Sequence, residues 1–176
     1  MIKQITVNTK ALETMLFIWA SLKDKEKIAD EFFINLAESP EMEAAYADDF
    51  DPNSLRRALS AIANRELLSD AGVREKKFWN NNMWMTEDLG FTEMMVEPVK
   101  TLNMDKYMDR LPEDFPHEKV EVIFYPGTLE DATIIGSKLF INFFKVKVDM
   151  FNPEEEAKIG EDPIPEFVIK EIAKMK

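Results

Sequence analysis

A chain of 176 residues, 45% hydrophobic and with 13 Phe, can bury one core of ordinary domain size without a disulfide or a structural metal. It has no cysteine, which excludes a disulfide framework, a thiol nucleophile and a thiolate zinc site, and fits a reducing, cytoplasmic setting. A net charge of −12 argues against nucleic acid as a partner, because such binding rests on neutralising phosphates.

The charge is uneven. Six acids and no base lie between Glu38 and Leu55; Arg56–Asn82 holds six bases against three acids; Met83–Glu118 returns nine acids against three bases. Such acidity serves solubility, and it also suits an acidic face matched to a basic partner protein. The apolar run Met15–Ala20 is too short for a signal peptide, and no stretch approaches the roughly 20 apolar residues of a membrane span.

In chain order, Asn8 or Thr9 can cap a first helix with Leu12, Met15, Leu16, Trp19 and Leu22 at 3–4-residue spacing. Asp24 is placed to cap a second, with Ile28, Phe32, Phe33 and Leu36 on its apolar side. Ser39-Pro40-Glu41 opens a short third helix and Asp51-Pro52 a fourth, each with proline at the first helical position. Short connections between these helices predict an α-hairpin bundle. Asn80-Asn81-Asn82 predicts a loop or a strand pair, because asparagine side chains compete for nearby backbone groups. A further helix is expected from Thr92 to about Asn103, with Pro98 kinking or dividing it. Leu111-Pro112 to Phe115-Pro116 is a breaker cluster. Lys119–Tyr125 then reads as a strand buried on both sides, ended by Pro126-Gly127. Leu139–Met150 continues in a strand-like register, although periodicity reads Phe140–Phe144 equally well as buried helix, and a polar loop over Asn152–Pro165 precedes an amphipathic helix carrying Val168, Ile169, Ile172 and Met175. The expected class is α+β: one domain over 1–176, helical to about 111 and β-containing from about 117, with a small late sheet and a C-terminal helix.

No catalytic set emerges. Neither GxxxxGK[ST], GxGxxG nor GxSxG occurs. His117, the only histidine, opens His117-Glu118-Lys119-Val120-Glu121, but that run enters a strand, where residues four apart lie about 13 Å from one another and cannot share one zinc ion. Asp49-Phe50-Asp51-Pro52-Asn53 imitates a calcium loop, yet Ser54 replaces the required glycine and Ser60 the bidentate glutamate. Asp51 is better placed as a helix cap. No cofactor or metal is implied.

The least ordinary cluster is aromatic and methionine-rich. Trp79, Met83, Trp84 and Met85 surround the three asparagines. They either plug the core between bundle and sheet or form a rim for a ligand or peptide. In the second case Trp79, Asn81, Met83 and Trp84, with Arg74 and Lys77 beside them, are the candidate binding residues.

The stretch from Val120–Gly127 through Gly136 and Leu139–Phe144 to a polar loop and the helix Glu166–Met175 resembles the region upstream of the zinc helix in HExxH peptidases of the DUF2268 kind. The resemblance covers Lys119–Lys176. It implies a small sheet whose edge strand binds an extended substrate by backbone pairing. No HExxH occurs, so under this resemblance the chain is the N-terminal portion of a zincin-like metallopeptidase, inactive as given. The sequence on its own supports first a non-catalytic module that binds a basic protein or an extended peptide.

Overall fold

The computed structural model describes residues 1–176. It contains six α-helices and a four-stranded sheet, with a three-stranded minisheet near the C-terminus, which makes it α+β. The chain begins with β1 (Gln4–Asn8), then α1 (Lys10–Lys23), α2 (Asp30–Ala37), a 3-10 helix (Pro40–Ala45), α3 (Pro52–Ala63), α4 (Val73–Glu87) and α5 (Leu89–Lys100). A second 3-10 helix (Asp105–Arg110) leads to β2 (Lys119–Tyr125), β3 (Ala132–Ile135) and β4 (Lys138–Asn142). The single turn Phe143–Lys145, β5 (Val146–Lys147), β6 (Lys158–Ile159), β7 (Asp162–Pro163) and α6 (Ile164–Ile172) complete it.

The main sheet has the order β1-β2-β4-β3. Strands β1 and β4 flank β2 in parallel, and β3 pairs antiparallel with β4 as the outer edge. The sheet is therefore not solely a late feature, since its first strand comes from the N-terminus. Gln4 pairs with Lys119 and Asn8 with Ile123 across more than a hundred intervening residues. Val120, Val122 and Phe124 lie on one face of β2 and Ile123 and Tyr125 on the other, all buried, as a central strand covered on both sides requires. Burial pushes the Tyr125 phenol up to about 12.

Local signals explain most helix boundaries. Asp51 accepts from the Ser54 backbone N–H at 2.8 Å while the Ser54 hydroxyl accepts from the Asp51 N–H, a reciprocal cap with Pro52 at the first helical position. Helix α3 then buries Leu55, Ala58, Leu59 and Ile62 along one stripe. Pro40 opens its helix as expected, though as a 3-10 turn. Asp88 caps α5 by accepting from Phe91 N–H, and Pro98 is carried inside that helix rather than dividing it.

Three expectations are corrected. The second helix starts at Asp30, and Asp24 instead closes α1. The run Leu139–Met150 is broken after Asn142, whose side chain turns back to accept from Phe144 N–H and starts a 3-10 turn. Asn80-Asn81-Asn82 lies in the middle of α4, neither loop nor strand. Asn82 is held there because its Nδ2 donates to the Phe78 carbonyl one turn back and its Oδ1 accepts from the buried Trp19 indole. Tertiary bonding outweighs the local disfavour.

One core of 41 buried residues runs through bundle and sheet, joining Trp19, Phe33, Phe50 and Phe78 to Phe124, Phe140 and Phe143. No helix is long and apolar enough to cross a membrane.

Candidate functional site

The residues singled out in the sequence all fall on α4 but divide between its flanks. Arg74, Lys77, Asn81 and Trp84 follow one another at spacings of three, four and three, on one side of the helix. Trp79 and Met83 occupy the other flank, half-buried and packed on the core. Phe78, Asn82 and Met85 point inward between them. The six residues therefore do not line one rim.

Arg74 is committed to the fold. Its guanidinium reaches Asp49 at 3.0 Å and Glu130 at 2.5 Å and donates to the Thr128 hydroxyl at 3.0 Å, clamping the β2–β3 loop. The same holds for much of the basic stretch: Arg56 pairs with Asp30 and Arg57 with the buried Glu75. Lys76 and Lys77 are exposed and make no ion pair. Trp84 is 68% exposed, so it is no core plug, whereas Trp79 keeps a buried indole N–H without a partner, as does Asn81 with its Nδ2.

His117 precedes β2, its Nε2 lies 3.2 Å from the Lys176 carbonyl and its ring meets Phe115 edge-on. Glu121, on β2, accepts from the Asn8 amide rather than converging on the imidazole. Asp51 caps α3 as expected, and its carboxyl is held below the usual range by the Ser54 backbone N–H.

A concave surface lies elsewhere, between the C-terminal end of α5 and the segment 148–165. A cleft of about 540 Å³ is floored by Pro98, Leu102, Tyr107, Pro163, Ile164 and Pro165. A second, of about 420 Å³, is bounded by Met94, Val148 and Pro153. The two share Pro98, Thr101, Glu156 and Ala157 and so form one groove. Its floor is assembled from separate elements: the proline inside α5, the minisheet, and the two prolines around the first residue of α6.

The groove's rim is acidic. Glu97, Asp105, Asp149 and Glu156 are exposed and make no ion pair, while Glu155 is paired with Lys158. Lys106 is the only base lining either part. Beside the groove, Phe151 is 91% exposed on a turn stiffened by its own N–H donating to Asp149 Oδ1 at 2.9 Å. A surface of this kind offers apolar rings below and unneutralised carboxylates above, which suits an extended chain bearing cations. No family model, curated protein or solved structure matches this chain.

Sequence reasoning missed the groove. The run Glu154-Glu155-Glu156 and the pair Pro163/Pro165 are visible in the sequence, but nothing there brings them to Pro98 and Tyr107.

Proposed function

We propose that this protein is a non-catalytic binding module that holds a basic, extended segment of a partner protein in the groove between α5 and residues 148–165. The single observation supporting this reading is the pairing of a ring-rich apolar floor with four exposed carboxylates that have no cation of their own. The chain's net charge of −12 adds long-range attraction for such a partner. Affinity would come from apolar contact along the floor. Orientation and on-rate would come from the rim.

The test is fluorescence anisotropy with a labelled peptide of six basic residues at 50 and 500 mM salt. The comparison is between Glu97→Gln/Asp149→Asn/Glu156→Gln and a control of equal net charge, Glu31→Gln/Glu66→Gln/Glu113→Gln, whose sites are exposed and unpaired. The groove variant is expected to weaken binding about tenfold or more at low salt, and the control by no more than about threefold. Equal losses in both variants would show that the peptide responds to overall charge and not to the groove.

A further inference from the structure

We infer that Tyr107 is a seat for an arginine side chain of the bound segment, held in the free protein by Lys106 as a placeholder. The inference rests on the groove reading above. Tyr107 is the only aromatic residue in the groove lining. Two cations lie on its ring: Lys106 Nζ at 5.4 Å and the Arg110 guanidinium at 4.7 Å from the centroid. They are not equivalent. Arg110 is fixed by Glu166 of α6 at 2.6 Å and does not line the groove. Lys106 lines the groove, is exposed, and has no carboxylate partner. Of the two cations on the ring, the one that lines the groove is thus the one that no carboxylate secures.

An incoming guanidinium would take that position better than an ammonium. It is planar, stacks on an aromatic face, is more weakly hydrated, and can reach a rim carboxylate such as Asp105 or Glu156 in the same pose. Recognition should therefore favour arginine over lysine at equal charge, and removing Lys106 should free the seat.

Two labelled peptides of equal length and charge, one with six arginines and one with six lysines, are titrated against the wild type, Tyr107→Leu and Lys106→Ala. The wild type is expected to bind the arginine peptide about threefold or more tightly. Tyr107→Leu should weaken the arginine peptide more than the lysine peptide and so abolish that preference, which a general loss of structure, weakening both alike, would not do. Lys106→Ala should tighten the arginine peptide about two- to fivefold. Binding without an arginine preference, or a preference that survives Tyr107→Leu, overturns this inference and leaves the groove reading standing. No binding of either peptide to the wild type overturns both.

Discussion

The Trp19 indole Nε1 donates to Asn82 Oδ1 at 2.9 Å, both side chains fully buried, and this bond ties α1 to α4 through the core. The other end of the Asn82 amide is satisfied by the Phe78 carbonyl at 2.8 Å. Replacing one partner leaves a buried donor unmet, which costs more than the bond's net worth. Asn82→Leu should lose about 1–3 kcal/mol in urea unfolding at unchanged m. Combined with Trp19→Phe, which removes the donor, the loss should fall short of the sum of the two single changes. Strict additivity would show that the bond does not couple the helices.

Trp19 and Trp84 lie in opposite environments, with Trp79 half-buried between these extremes. Trp19 is enclosed and stacks on Phe143 with centroids 5.9 Å apart, whereas Trp84 stands on the outer side of α4. Trp19→Ala should cost about 3–5 kcal/mol and Trp84→Ala less than about 1 kcal/mol. Iodide quenching should be lost chiefly with Trp84→Ala. A cost above about 2 kcal/mol for Trp84→Ala would place that indole against protein.

How much of this was readable in the sequence depends on the range of the interaction that decides each element. The Asp51-Pro52 cap, the stripe of α3 and the amphipathic C-terminal helix are fixed by neighbours within a few residues, and they are found where the pattern puts them. Strand β1 offers only Ile5 and Val7 in five residues, and its partner lies beyond Glu118, so no local signal marks it. The asparagine run misleads for the same reason, since the group that stabilises Asn82 is 63 positions away. The groove is assembled from α5, a 3-10 helix, the minisheet and α6, and becomes legible only once these are packed.

Helices α1 and α3 end alike. Glu26 N–H bonds to the Ser21 carbonyl and Glu66 N–H to that of Ala61, each spanning a residue with left-handed backbone: Lys25 at φ 60° and Arg65 at φ 57°. Glycine is the ordinary occupant of that position because it has no Cβ to strain. Lys25→Gly and Arg65→Gly should therefore stabilise, or at least not destabilise, by up to about 1 kcal/mol each. Thermal unfolding measures it, and a clear drop in Tm for both would mean their side chains carry contacts worth more than the strain.

Acid should loosen the β2–β3 loop. The Arg74 hydrogen bond holds the Glu130 carboxyl below its ordinary 4.5, so the folded state favours the charged form. The resulting stability is present above about pH 4.5 and is lost as pH falls through the lowered folded value. Because Glu130 is partly solvated, the pair is worth only about 1 kcal/mol or less. Glu130→Gln should lower stability slightly at pH 7 and flatten the decline below about pH 4.5. An unchanged pH profile would show that other carboxylates carry the acid response.

The same loop depends on a close approach at Gly127. A Cβ there would lie 2.6 Å from Asn142 Cγ and within 2.9 Å of both of its amide atoms. That amide is fully used: its oxygen accepts from Gly127 and Phe144 N–H at 3.1 Å each, and its nitrogen donates to the Glu130 carbonyl at 3.1 Å. The side chain is buried and cannot retreat without breaking these bonds. Gly127→Ala should therefore cost about 2–4 kcal/mol, combining overpacking with at least one lost hydrogen bond. Gly136→Ala is the comparison, for its Cβ would meet nothing within 4 Å and only its φ of 61° is strained. That change should cost about 1–2 kcal/mol. Hydrogen exchange separates the two: Gly127→Ala should deprotect the amides of Gly127 and Phe144 together, because one side chain accepts from both. If those amides stay protected while stability falls, the loop has yielded elsewhere and Asn142 is not its hub.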